Sequence, residues 1–316
     1  MKGYIGLDIG GTKILGALFD EKGKVIKKEK KKTKADEGID KVKEQIFKVI
    51  DSLIDEDMEI LGIGAGSPGI IKDEAIVIFS PNIPFREFNL KEIMEKRYNK
   101  RFVLGNDVNI GTYGEWKESG KKDSQNAIGI FVGTGVGGAI IVDRKLCTGK
   151  GGAGEIGHMV VNPEGAFCGC HGKGCLEAYS SKTGIQKEII EQIKKGRKTA
   201  LKEYLEEDGA VIKSSSLEKA YEDKDELCVE VIDRACYYLG IATGSLINIL
   251  NPDLIIYGGG IMEAMGKKLL PLIEKEARRH TMPGLLDSVD FELSHLSDDA
   301  GIIGAYHLIK DALDED

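Results

Sequence analysis

Between Glu155 and Glu177 the chain gathers three thiols, two imidazoles and three carboxylates, most of them in Glu155-Ile-Gly-His158 and Cys168-Gly-Cys170-His-Gly-Lys-Gly-Cys175-Leu-Glu177. Cys-x-Cys-x4-Cys with a single His upstream supplies the Cys3His set that a structural Zn2+ ion binds tetrahedrally. The intervening glycines let the backbone fold around a small ion. Cysteines that act only as apolar filler scatter along core faces and do not crowd a glycine-rich loop. His158, Cys168, Cys170 and Cys175 are therefore the expected zinc ligands, with Glu155 and Glu177 outside the ligand set.

Two glycine-rich turns offer a second kind of chemistry. Asp8-Ile-Gly10-Gly11-Thr12-Lys13 lies between two apolar runs. Its glycines can turn backbone N–H groups inward while Thr12 and Lys13 add a hydroxyl and a cation, a combination that cradles phosphate oxygens. A hairpin needing glycine only for positive φ would leave Asp8 unexplained. A carboxylate at the end of a hydrophobic strand needs a partner, and Mg2+ or its water shell supplies one. The second turn, Gly133-Thr134-Gly135-Val-Gly137-Gly138, matches the dinucleotide fingerprint G-x-G-x-x-G. That fingerprint opens a helix, whereas these glycines run into the strand pattern Ala139 to Asp143. No G-x-x-x-x-G-K-[ST] sequence occurs. The expectation is a pair of glycine hairpins able to grip a triphosphate.

Asn106-Asp107 follows the apolar run Phe102-Val-Leu-Gly105, which places both side chains at a strand's carboxyl end, where open α/β sheets bind ligands. Asp107 is the candidate base: a positioned carboxylate can take the proton of an attacking hydroxyl and orient it in line with a γ-phosphorus. Both residue types also cap helices, and one of the two is enough to cap a helix beginning near Val108.

Periodicity supplies the elements that must position these groups. Strands are expected at Tyr4 to Asp8, Ile14 to Asp20 and from Val25 onward. Ile39, Val42, Ile46, Val49, Ile50 and Leu53 mark one buried helical stripe. Ile60 to Ala65 and Phe102 to Leu104 read as buried strands, with a short helix from Leu90 to Tyr98 before the second. The cycle then repeats from Ala127. Placing Gly10 on Gly133 puts Asp20 on Asp143 with apolar residues in phase, so the chain reads as a diverged duplication. Helices follow at about 177–195 and 227–250, a strand at Leu254 to Tyr257, a helix at about 263–280 and a last one from near Ala300. The pattern predicts a duplicated two-lobe α/β fold with a cleft between the lobes. Residues 1–112 form the small lobe, with a C-terminal helix at about 303–316 packing back on it, and residues 113–302 form the large lobe with the zinc loop.

A net charge of -8 over 316 residues argues against a general nucleic-acid or anionic-membrane binder, which needs a positive surface field. The basic cluster Lys27 to Lys32 is the local exception and reads as the wet face of an edge strand. The uncharged run Ala127 to Val142 is interrupted by glycines and too short to span a membrane. Cys147, Cys228 and Cys236 are dispersed, and no secretory leader precedes the first strand, so a cytoplasmic location is expected.

Taken in order, Asp8-x-Gly-Gly-Thr-Lys13, Gly105-Asn106-Asp107, the run Gly133 to Gly138, Glu155-x-Gly-His158, Cys-x-Cys-x4-Cys and Gly258-Gly259-Gly260-Ile261 resemble the ROK family over essentially the whole chain, its bacterial glucokinases above all. The resemblance implies an actin-like ATPase (ribonuclease H-like) fold and transfer of the γ-phosphate of ATP to a hexose hydroxyl, with Asp107 as base and glucose 6-phosphate as product. It assigns sugar contacts to Asn82, Asn106, Asp107, Glu155, His158 and Glu177. Gly258, Gly259 and Gly260 would let adenine and ribose lie against the backbone, joining Asp8, Gly10, Gly11, Thr12, Lys13, Gly133, Thr134, Gly135, Gly137 and Gly138 at ATP. His158 would serve zinc through one ring nitrogen and sugar through the other, making zinc an organiser. A homodimer or homotetramer is implied. The family's N-acetylmannosamine kinases and fructokinases share these motifs. Its sugar-responsive repressors carry a DNA-binding segment ahead of the core, and only seven residues precede Asp8 here. A non-catalytic sugar sensor would have no use for Asp107 and the phosphate hairpins.

Overall fold

Two sheets of the same strand order carry the alternation into three dimensions. The computed structural model describes residues 1–121, 123–205 and 211–314, and they divide into two compact α/β units. The first comprises Met1–Asp123, Lys145–Gly154 and His295–Asp316; the second comprises Ser124–Arg144 and Glu155–Ser294.

In the first unit, β1 (Lys2–Ile9), β2 (Lys13–Asp20) and β3 (Val25–Lys32) form an antiparallel meander. After β4 (Glu59–Ser67) the chain makes a small separate sheet of β5 (Ile70–Lys72), β6 (Ile76–Phe79) and β7 (Arg86–Asn89), which periodicity did not anticipate. It then enters β8 (Arg101–Asn106). The main sheet has the order β3-β2-β1-β4-β8, with β4 parallel to both β1 and β8.

One face of that sheet takes α1 (Ile39–Leu53), whose predicted stripe Val42, Ile46, Val49, Ile50 and Leu53 is wholly buried. The other face takes the C-terminal helix Ala300–Asp314, where Tyr306 stacks on Phe19 with ring centroids 4.8 Å apart. Glycine is required beneath that helix: a Cβ on Gly6 or Gly64 would lie 2.2 or 2.0 Å from the carbonyl oxygens of Ile302 and Ala305. The edge strand β3 turns Lys27, Lys28, Lys30 and Lys32 outward, as the sequence predicts. Helix α2 (Leu90–Tyr98) precedes β8, and α3 (Asp107–Glu118) follows it directly.

The second unit repeats the plan. β9 (Ala127–Val132) and β10 (Val136–Val142) form an antiparallel hairpin; the two-residue β11 (Lys145–Leu146) opens the segment that counts with the first unit. β12 (Leu254–Gly258) runs parallel to β9, and β13 (Asp290–Leu293) parallel to β12, so β10, β9, β12 and β13 lie in the order of β2, β1, β4 and β8. The duplication holds, with one correction to its register. Ile9 pairs with Ile14 but Val132 pairs with Val136, so the second hairpin is one residue tighter and Asp20 corresponds to Val142 rather than to Asp143.

Among the described residues, this unit also carries the α-helices α4 (Glu177–Ser180), α5 (Lys182–Lys194), α6 (Ser214–Glu222), α7 (Glu226–Leu250) and α8 (Gly260–His280). The single helix expected over 177–195 is therefore broken. Ser181 adopts an extended backbone (φ -73°, ψ 158°), and its hydroxyl accepts the Gly184 N–H at 2.9 Å, restarting the helix as an N-cap. Gly184 permits the sharp restart, because a Cβ there would lie 2.5 Å from the Ala178 carbonyl oxygen. Among the described residues no helix is long and apolar enough to cross a membrane.

Candidate active site

Strand β8 ends at Asn106, whose side chain caps the helix that follows. Asn106 Oδ1 accepts the N–H groups of Val108 and Asn109 at 2.9 and 3.1 Å, and its Nδ2 donates to the Gly69 carbonyl at 3.0 Å. Asn106 is thus the N-cap of α3. Asp107 also accepts from Val108 N–H, at 3.0 Å, and sits in the first turn, where the helix dipole favours a carboxylate. Asp8 comes from the end of β1. Burial, then the nearby charge of Asp107, push its carboxyl up to about 6, against the pull of Lys13. Two carboxylates in mutual repulsion form a donor set that a divalent cation satisfies.

The first glycine turn closes with Gly10 N–H donating to the Lys13 carbonyl at 2.9 Å. Thr33, wholly buried, holds it from behind: its hydroxyl donates to the Gly10 carbonyl at 2.5 Å and its N–H to that of Thr12 at 3.0 Å. Asn82 abuts Gly11, where a Cβ would come within 2.7 Å of its own. The Lys13 ammonium is paired to Asp298 at 2.7 Å, so its charge is already matched before any phosphate arrives. The first unit therefore brings together Asp8, the Gly10–Lys13 turn, Asn82, Asn106 and Asp107.

In the second unit, the Gly133 N–H donates to the Gly135 carbonyl at 2.9 Å, and the start of α5 braces the turn. Lys182 N–H reaches the Gly133 carbonyl at 2.8 Å, and the Thr183 hydroxyl reaches that of Thr134 at 2.8 Å. Gly137 is the second residue of β10. Gly138 has a packing reason as well, since Ile156 fills the place of its side chain, while a Cβ on Gly157 would lie 2.0 Å from the Val136 carbonyl oxygen. The turn bearing Glu155 and His158 is thereby pressed onto β10. Gly258 lies against the Phe131 ring, Gly259 has φ 85° against Val132, and Gly260 opens α8.

The four expected ligands converge. One donor atom from each of His158, Cys168, Cys170 and Cys175 falls within 4.8 Å of all the others. Cys168 Sγ to His158 Nδ1 and Cys170 Sγ to Cys175 Sγ are both 3.7 Å, close to the edge of about 3.8 Å of a tetrahedron with metal–sulfur bonds of about 2.3 Å. The loop is shaped by His171 at φ 68° and by the Cys168 N–H donating to the Gly172 carbonyl at 2.9 Å. Burial pushes the Cys175 thiol up to about 12, while a backbone hydrogen bond from Gly172 lowers that of Cys170. Because His158 turns Nδ1 toward the sulfurs, Nε2 is left 4.0 Å from Glu155. Glu177 stands 3.6 Å from Cys168 Sγ and accepts Val136 N–H at 3.0 Å, in space that Gly135 leaves open. Glu155, His158 and Glu177 thus surround the cluster beside the second glycine turn.

The model of the ROK family matches residues 4–312. This chain belongs to the ROK family. The glucokinase of Halalkalibacterium halodurans is 34% identical over 315 residues, covering 97% of this chain and 94% of its own. A ROK family glucokinase from Streptomyces griseus, solved in complex with glucose and AMPPNP, superposes with a TM-score of 0.76 at 30% identity over 97% of this chain and 98% of its own. A xylose repressor from Caldicellulosiruptor bescii is 29% identical over 96% of this chain and 77% of its own length. The actin-like ATPase-type fold accords with this membership. Sequence reasoning missed several members of this ROK site. Thr33, Asp298, Ser181 and Thr183 carry no motif, and only the pairing of distant segments reveals them.

Proposed function

We propose that this ROK family sugar kinase is a glucokinase, transferring the γ-phosphoryl group of ATP to the 6-hydroxyl of D-glucose with Asp107 as base. The Asn106-Asp107 pair carries the reading: Asn106 takes the helix cap, which leaves the Asp107 carboxylate beside Asp8 at a strand end. Asp107 accepts the hydroxyl proton as the sugar oxygen bonds to the γ-phosphorus and the bond from phosphorus to the bridging oxygen of ADP breaks. Gly10 to Lys13 and Gly133 to Gly138 would offer backbone N–H groups to the phosphates, and Gly258 to Gly260 would receive adenine and ribose. Mg2+, held through Asp8 or its water shell, would offset phosphate charge. The similarity to glucokinases along nearly the full chain supports this acceptor over its alternatives.

Asn82, Asn106, Glu155, His158 and Glu177 are the proposed sugar contacts. With Oδ1 shared by two helix N–H groups and one amide hydrogen on Gly69, Asn106 has a single N–H left to give. His158, Cys168, Cys170 and Cys175 would hold Zn2+ with every coordination position filled by protein, so the ion orders the loop and fixes the His158 tautomer without touching substrate. We further expect a cytoplasmic homodimer or homotetramer with no nucleic-acid or membrane partner. Initial rates with glucose, N-acetylmannosamine and fructose test the acceptor. Glucose is expected to have the highest kcat/KM, and an excess of about tenfold for either competitor would overturn the choice of sugar.

A further inference from the structure

A cavity of about 350 Å³ opens in the first unit beside Asn106. Its floor includes Asn109, three residues after Asn106 in α3 and only 7% exposed. The Asn109 backbone N–H is taken by Asn106 Oδ1, but its carboxamide makes no hydrogen bond to any described residue. One wall is the turn Asp73-Glu74, both residues at positive φ, tied down by Leu104 N–H donating to the Glu74 carbonyl at 3.1 Å. The opposite wall is the loop Thr148 to Gly151, seated so closely that a Cβ on Gly151 (φ 101°) would lie 2.2 Å from the Ile71 carbonyl oxygen. A second cavity of about 210 Å³ also has Asn109, Glu74 and Thr148 in its lining.

The Asn109 carboxamide offers two donors and two acceptor sites, and no described residue matches them. Around it stand carboxylates, a hydroxyl, an ammonium and the Asn106 amide, with Ile71 and Leu104 as apolar surface. Polar donors and acceptors beside apolar surface suit a neutral polyhydroxylated ring, while Asp73 and Glu74 disfavour a phosphate. Asp107 is not among the lining residues, so a hydroxyl that meets Asn109 is not the reacting one. We propose that this cavity is part of the acceptor site and that Asn109 is a specificity-determining residue that hydrogen-bonds a non-reacting sugar hydroxyl. The inference rests on the sugar-kinase reading and extends it to a residue outside the motifs.

The test is steady-state kinetics of the parent and Asn109→Ala with MgATP and glucose, 2-, 3- and 4-deoxyglucose and 1,5-anhydroglucitol. The variant is expected to raise the glucose KM about tenfold or more, leaving the ATP KM within about twofold. One deoxy sugar that the parent handles poorly should lose its disadvantage in the variant, a change that a merely structural asparagine would not produce. Asn109→Ser, which keeps a small donor and acceptor, is read in the same way should the alanine variant fail to fold. A glucose KM within about twofold of the parent, with the deoxy ranking unchanged, overturns the role of Asn109 while the kinase reading stands. A parent that phosphorylates no sugar in the panel overturns both.

Discussion

Asn106 and Asp107 are both residue types that cap helices, and the hydrogen bonds of Asn106 make it the N-cap of α3, with Asp107 the proposed base. Asp107→Asn is expected to lower kcat by about 10²–10⁴-fold, the usual worth of general-base help. Calorimetric glucose affinity should stay within about threefold, because the amide keeps the shape and loses only the proton acceptor. Turnover within about threefold of the parent would make Asp107 a second cap and nothing more. Asp8 gives a pH signature. Its carboxyl is raised to about 6 by burial and then by Asp107, so the folded chain holds that proton more tightly than the unfolded one. The stabilisation is complete below the unfolded value near 3.8 and is lost as pH rises through about 6. In magnesium-free buffer, Asp8→Asn should therefore melt higher than the parent at pH 8, with the gain gone by about pH 4. An equal difference at both values would contradict the assignment. These roles were half legible: the residue types stood out in sequence, but not which of two neighbours is the cap.

At the scale of elements, the Cys3His loop was the most legible feature, because its ligands are local and its glycines leave few other folds. Cys170→Ser should release the metal, lower the melting temperature and raise the glucose KM through His158, with little change in ATP affinity. Elemental analysis after chelator-free preparation should give about one zinc per chain, and less than about half would count against zinc as a native structural element. The break between α4 and α5 was not legible, because Ser181 interrupts the helix for one residue and the apolar period carries across it. Gly184→Ala should expose that geometry. Its Cβ would meet the Ala178 carbonyl, at an expected loss of about 1–3 kcal/mol measured by denaturant unfolding; an unchanged midpoint would mean that the restart relaxes freely. The tighter second hairpin also escaped notice, since a one-residue difference is invisible until strand register is known.

For the whole molecule, the repeated glycine hairpins disclosed the duplication, and the common strand order of the two sheets bears it out. The return of the C-terminal helix to the first unit was expected from the sequence, and a Cβ on Gly6 or Gly64 would meet that helix; the placing of Lys145–Gly154 in the same unit was not legible. Lys13 likewise meets Asp298, near the other end of the chain, a pairing no local pattern can encode. Phosphoryl transfer to glucose by these parts, as proposed, is tested most directly by product analysis. Incubated with glucose and MgATP, the protein should form glucose 6-phosphate and ADP in equal amounts, with ADP release falling to a trace when glucose is omitted. ADP formed without sugar phosphate, or no ADP at all with glucose present, would contradict the account.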